Sequence, residues 1–119
     1  MVVESRRSQM LKGILDPCLL AVLAEREAYG YDIVTRLAEA GLREVAEGTV
    51  YPALMRLEQR GLLAWERRPS DSGPPRKYYR LTETGHNYLA EWKSEWIGLA
   101  NAVDDVLGTS KPKRAKETA

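Results

Sequence analysis

Glu47-Gly48-Thr49-Val50-Tyr51-Pro52-Ala53-Leu54-Met55-Arg56-Leu57-Glu58-Gln59-Arg60-Gly61 is the stretch whose reading decides the fold. Val50, Ala53, Leu54 and Leu57 recur at i, i+3, i+4 and i+7, the spacing of one buried helical stripe. That predicts a helix from Glu47 to Arg60, stopped by Gly61. Thr49, Tyr51, Pro52, Met55, Arg56 and Gln59 fall on the opposite face. Such a face is either solvated or meets a polar partner. Pro52 lacks a backbone donor and should loosen the first turns.

Upstream, residues 10–26 read as helix with a break. Asp16-Pro17 has the form of an N-cap followed by Pro at the first helical position. The helix proper is then expected from Pro17, with Gln9–Leu15 as a separate turn or short helix. Tyr29-Gly30-Tyr31 marks a loop, and a second helix is expected over Gly30–Ala40, ended by Gly41. Downstream, Leu62–Arg67 and Lys77–Leu81 read as strands. The intervening Arg68–Arg76 is rich in turn formers and is expected to form a long flexible tip. Thr82 caps a last helix running to about Leu107, before Gly108. Its length of roughly 39 Å exceeds what so small a domain can cover. Its apolar residues, among them Leu89, Leu99, Val103, Val106 and Leu107, therefore need a partner surface, most simply a second copy of the chain.

The chain has 119 residues, the size of one domain, and a formal charge of +1. No apolar run approaches a membrane span, and a cytoplasmic location with no membrane partner is the expectation. Cys18 is the only cysteine and His86 the only histidine, so neither an internal disulfide nor a Cys/His zinc site is expected. His86 reads as structural and Cys18 as buried in the first helix. No paired nucleophile and base, phosphate-cradling glycine loop or metal cluster is present, so the chain is not expected to be an enzyme or to carry a cofactor. Charge is unevenly placed. Between Arg56 and Arg80 there are seven basic residues against three acids, Glu58, Glu66 and Asp71. A basic stripe in a near-neutral chain suits an anionic partner on one face.

Three helices followed by a hairpin is the order of a winged helix-turn-helix. The fold class is thus mostly α with a small β-hairpin, plus a long C-terminal helix. Particular residues sharpen this. Tyr29-Gly30-Tyr31-Asp32-Ile33, then Gly48-Thr49-Val50-Tyr51-Pro52-Ala53-Leu54 with Arg56-Leu57-Glu58 and Gly61-Leu62-Leu63, then Gly73-Pro74-Pro75-Arg76-Lys77-Tyr78-Tyr79-Arg80-Leu81-Thr82 with Gly85, stand in order. Together they resemble the signature of PadR-family transcriptional regulators, of the short subfamily with one C-terminal dimerisation helix. Ala46 and Glu47 depart from the Ser or Asn cap and the Pro common there.

The resemblance implies a dimeric DNA-binding regulator, a repressor, that reads an inverted-repeat operator in double-stranded DNA. Residues 1–81 would form the winged head, 82–108 the dimerisation helix and 109–119 a disordered basic tail. The third helix would enter the major groove, with Thr49, Tyr51 and Pro52 nearest the bases and Arg56 or Gln59 reaching a phosphate or base edge. In the wing, Arg76 and Lys77 would bind phosphates. Alternation puts Tyr79 and Leu81 toward the core and Tyr78 with Arg76 and Arg80, where its hydroxyl would approach a phosphate. Trp92 and Trp96, four apart, share a helical face. Some PadR-like multidrug sensors sandwich a planar aromatic ligand between such indoles across the dimer, and Trp96 falls at that place. The plainer reading of the pair is a filled dimer core. The rival function is a winged-helix protein-interaction module that never binds DNA.

Overall fold

The computed structural model describes residues 5–110. In order these form α1 (Arg6–Met10), α2 (Leu15–Glu25), α3 (Gly30–Glu39), α4 (Glu47–Gln59), β1 (Leu63–Ser70), β2 (Gly73–Leu81) and α5 (Glu83–Leu107). This is the mostly helical winged architecture expected. The expected tail lies almost wholly outside the described residues.

α2 runs through the middle of the head and packs on α3, α4, α5 and β2. Its Leu19 and Leu20, with Ile33 of α3 and Val50, Leu54 and Leu57 of α4, are the largest fully buried side chains. Each buried leucine of this kind contributes about 1.5–3 kcal/mol over an exposed one. The chain turns between α2 and the preceding α1 rather than at Asp16-Pro17. α2 starts at Leu15 with Ile14 as its N-cap, which makes no side-chain capping bond. Asp16 and Pro17 sit inside the first turn, where a helix has no use for the missing N–H. The Asp16 carboxylate is instead paired with Arg56 of α4 at 3.2 Å. α1 begins at Arg6, capped by Ser5, whose hydroxyl accepts from the Ser8 amide at 3.1 Å. Cys18 is only half-buried, and desolvation pushes its thiol above the usual value. His86 lies exposed near the start of α5.

α4 ends as its glycine dictates. Gly61 takes φ +77°, the Gly61 amide donates to Glu58 O at 2.9 Å, and the Leu62 amide donates back to Leu57 O at 3.0 Å. That is a Schellman closure, and it aims Leu62 and Leu63 into the core.

The wing is longer and more regular than its composition suggests. β1 and β2 pair antiparallel from Leu63↔Leu81 through Arg68↔Arg76 to Ser70↔Gly73, with an irregularity between Arg68 and Ser70. The expected flexible tip of residues 68–76 is thus mostly strand, and Asp71 and Ser72 alone form the turn. Pro69 sits at the irregularity, and a two-stranded ribbon has outer edges where prolines break no ladder bond. Ser70 Oγ donates toward the carbonyls of Gly73 and Pro74, at 2.9 and 3.0 Å. Tyr79 and Leu81 enter the core as alternation requires. At its root the wing is tied to the head by a short third rung. The Ala28 amide donates to Tyr79 O at 3.1 Å, and the Tyr79 amide donates to Ala28 O at 2.8 Å.

α5 leaves the wing through a tight junction. Thr82 Oγ1 accepts from the Gly85 amide at 3.0 Å and donates to Gly61 O at 2.7 Å. α5 then runs 25 residues, roughly 37 Å, to Gly108 in the left-handed region. Leu89 belongs to the chain's own core, at 4% exposure. It lies early in α5, where the helix still covers the head, so the expectation that it serves a dimer contact is corrected. Leu99, Val103, Val106 and Leu107, farther along α5, are exposed, Val106 at 86%, although Ala100 among them is buried. Among the described residues no helix is long and apolar enough to cross a membrane.

The junction tolerates no side chain at position 85. A Cβ there would lie 2.2 Å from Leu62 O, which is backbone and cannot swing away. Gly85→Ala is expected to lower stability by about 3 kcal/mol, measured by urea unfolding. A loss below about 0.5 kcal/mol would contradict the rigid junction.

Candidate nucleic-acid interface

α4 shows how its sequence divides the helix. Val50, Ala53, Leu54 and Leu57 are buried, and Thr49, Tyr51, Pro52, Met55, Arg56 and Gln59 are all exposed. By helical angle, Pro52, Met55 and Gln59 form the crest. Tyr51 stands on one flank, Thr49 and Arg56 on the other. Pro52 does not break α4, which stays continuous from Glu47 to Gln59. It does leave the Gly48 carbonyl without its helical donor, at an exposed place.

The two flanks meet different neighbours. Tyr51 and Met55 face the wing across an open cleft of about 300 Å³, with Tyr29, Gly30, Arg76, Lys77 and Tyr79 as its other walls. Thr49 and Arg56 border a second cleft of about 450 Å³ with Asp16, Pro17, Glu44 and Tyr88. Arg56 is turned toward α2 by its ion pair with Asp16, though its side chain stays half exposed. The structure thus joins Tyr51 and Met55 with Arg76 and Lys77, and sets Arg56 and Thr49 apart from them.

In the wing, cross-strand register sorts the side chains. Trp65, Arg67, Lys77 and Tyr79 share one face, and Glu66, Arg68, Arg76, Tyr78 and Arg80 the other. Lys77 Nζ lies 4.2 Å from the Trp65 ring centroid, and Arg67 Cζ 5.8 Å from it. Arg76 Cζ lies 4.5 Å over the Tyr29 ring. Arg68 differs from the other wing cations. It is paired with Glu27 at 2.5 Å and with Glu66, and these bonds raise its own pKa. The Arg68 hydrogen bond holds the Glu66 carboxyl below the usual carboxylate range. At neutral pH the charge of Arg68 is therefore compensated within the protein. Among the described residues, no ion pair compensates Arg67, Arg76 or Lys77. Tyr78 is half-buried between the Arg68 guanidinium and the Tyr29 ring rather than free on the surface.

Sequence reasoning missed Tyr29 and Trp65 as platforms for these cations. The signal for Trp65 was its pairing opposite Tyr79, which needs the register. Tyr29 comes to the wing only through the Ala28 rung, and no local pattern reports that.

Gly30 has a specific task in this cleft. A Cβ on it would fall 2.3 Å from Tyr51 Cε1 and 2.9 Å from its hydroxyl, so the Tyr51 ring occupies the space that a side chain at position 30 would need. Gly30→Ala is expected to push the Tyr51 ring out of the cleft while leaving α3 and α4 folded. Nuclear Overhauser contacts between the Tyr51 ring and residue 30 measure this. An unchanged ring position in the variant would refute the close seating.

A cationic ribbon beside an exposed helix face is what a winged-helix nucleic-acid interface requires, and the comparisons agree. Residues 19–91 match the PadR-like transcriptional regulator family. The transcriptional regulator Rv3488 of Mycobacterium tuberculosis is 43% identical over 80 residues, covering 67% of this chain and 73% of that protein. The crystal structure of a PadR-like transcriptional regulator from Bacillus cereus superposes with a TM-score of 0.75 at 39% identity, over 84% of this chain and 97% of that one. That of a PadR family regulator from Eggerthella lenta does so with a TM-score of 0.76 at 39% identity, over 86% and 88%. With α4, the wing and the entry to α5 all following that pattern, the chain belongs to the PadR-like family of transcriptional regulators, which are DNA-binding proteins and not enzymes.

Proposed function

We propose that this regulator acts in the cytoplasm as a homodimeric repressor. On this reading residues 1–81 are the DNA-reading head and 82–108 the dimerisation helix. The carrying observation is the cleft in which Tyr51 and Met55 of α4 stand beside Arg76 and Lys77 of the wing. Tyr51, Pro52, Met55 and Gln59 would enter the major groove, with Thr49 and Arg56 at its margin. Arg76 and Lys77 would hold phosphates, and Tyr78 would support them through its ring. Support for dimerisation comes from α5. Leu99, Val103 and Val106, at spacings of four and three, make one exposed apolar stripe with Leu107. Two copies paired there would set two α4 helices about 34 Å apart, one turn of DNA, and read an inverted repeat.

Fluorescence anisotropy with DNA from upstream of the protein's own gene, against scrambled DNA and across a salt series, tests this. The expected result is a Kd of about 10⁻⁸ M or tighter on one segment, weakening steeply with salt. Leu99→Glu with Val103→Glu should give a monomer by light scattering and lose that affinity. Absence of DNA binding even at low salt would instead favour the protein-interaction module.

A ligand response is a second part of the proposal. Trp92 and Trp96 stack with ring centroids 5.6 Å apart and an interplanar angle of 14°, both half exposed on α5. A planar aromatic molecule seated against Trp96 at the dimer interface would change the spacing of the heads and release DNA, the two bindings opposing each other reciprocally. Proflavine titration should quench indole fluorescence in the wild type and much less in Trp96→Ala. Equal quenching in both proteins, or operator affinity unmoved by the dye, would leave the pair as filled dimer core.

A further inference from the structure

Arg68, Tyr78, Tyr29 and Arg76 form one continuous column over one face of the wing, with Arg68 and Arg76 opposite each other across the strands. Arg68 Cζ lies 4.7 Å from the Tyr78 ring centroid. The Tyr78 and Tyr29 centroids are 5.4 Å apart with the rings tilted at 57°. Arg76 Cζ lies 4.5 Å from the Tyr29 centroid. A guanidinium over a ring face is held by the ring's quadrupole, and its planar fork loses little freedom when stacked.

The two ends of the column differ. Arg68 is clamped by Glu27 at 2.5 Å and by Glu66. Arg76 has no carboxylate partner among the described residues, and it lines the cleft shared with Tyr51 and Met55. The column also sits where the wing needs support. A two-stranded ribbon is marginal alone, and the backbone rung tying this one to the loop before α3 is at Ala28–Tyr79. Glu27 and Tyr29 flank Ala28 in the sequence, and both hold wing side chains on the tip side of that rung, Glu27 pairing with Arg68 and Tyr29 packing on Tyr78 and Arg76.

We propose that the Glu27–Arg68 ion pair, acting through the stacked Tyr78 and Tyr29 rings, positions Arg76 in the cleft between α4 and the wing, so that an acidic residue at the margin of the DNA-facing surface strengthens DNA binding. Glu27, Arg68 and Tyr29 are positioning residues and Arg76 is the contact they serve. The inference rests on the reading of α4 and the wing as the DNA interface. It has a sign that plain electrostatics does not share. Deleting an acid near phosphates should by field alone raise affinity. Losing the clamp should lower it.

The test uses the full chain on its preferred operator duplex, by anisotropy across a salt series, with Arg76→Ala, Glu27→Gln, the two combined, Tyr29→Phe and Tyr29→Leu. Arg76→Ala should weaken binding and reduce the salt slope by about 1. Glu27→Gln should weaken binding about three- to tenfold in the wild-type background and less than about twofold once Arg76 is gone. Tyr29→Phe keeps the ring and should bind as the wild type does. Tyr29→Leu should behave like Glu27→Gln, which keeps the proposal falsifiable if the latter folds poorly. Glu27→Gln binding as tightly as the wild type or tighter would overturn the proposal, as would an equal loss in both backgrounds. Failure of the wild type to prefer any operator would instead overturn the interface reading, and the proposal with it.

Discussion

The seating of α4 is the constraint on which the rest depends. Four residues, Val50, Ala53, Leu54 and Leu57, are buried along one side of a 13-residue helix. They fix its rotation as well as its position, because a turned helix would put Met55 or Gln59 into an apolar core. Fixing the rotation fixes which side chains stand outward. Tyr51 then falls against Gly30, where a side chain would not fit, and Arg56 falls against Asp16. The exposed face is thus set from both flanks by groups that are not on α4.

The wing depends on α4 in turn. Gly61 closes the helix and feeds Leu62 and Leu63 straight into the core. Leu63 pairs with Leu81, and that register carries up the ribbon to decide which cations share a face. Thr82 links the end of α4 to the start of α5 through Gly61 and Gly85. α4, the wing and α5 therefore meet within a few residues of one another. A displacement of the start of α5 bears directly on the junction that also holds α4 and the wing. That junction is what a response to a ligand bound on α5 would use, since coupling between sites needs elements that move as units.

The helices α2 to α5 were legible in the sequence because each shows its period, whereas α1, at Arg6–Met10 with no buried residue, starts upstream of the short segment expected over Gln9–Leu15. The apolar stripe of α4, the glycine stops at Gly41, Gly61 and Gly108, and the Thr82 cap all act over one or two turns. Two local readings went astray for the same reason. Asp16-Pro17 looks like a helix start, yet Asp16 is engaged by Arg56, a residue 40 positions away. Arg68–Arg76 looks like a loop, yet ribbon edges accept its prolines. Leu89 was grouped with the outer residues of α5 because period alone cannot say where a helix leaves its own core. The platforms Tyr29 and Trp65, and the carboxylates that compensate Arg68, depend on cross-strand register and on the Ala28 rung. Composition showed an excess of positive charge in this region, but only the fold separates the compensated Arg68 from the uncompensated Arg76.

The proposed pairing of two winged heads through their α5 helices makes a geometric claim about DNA. Hydroxyl-radical footprinting of the protein on a site selected from random sequence tests it most directly. The account predicts two symmetric patches of backbone protection whose centres are about one helical turn apart, each extended outward by a wing. Protection confined to a single half-site, or spread evenly with no centre, would contradict it.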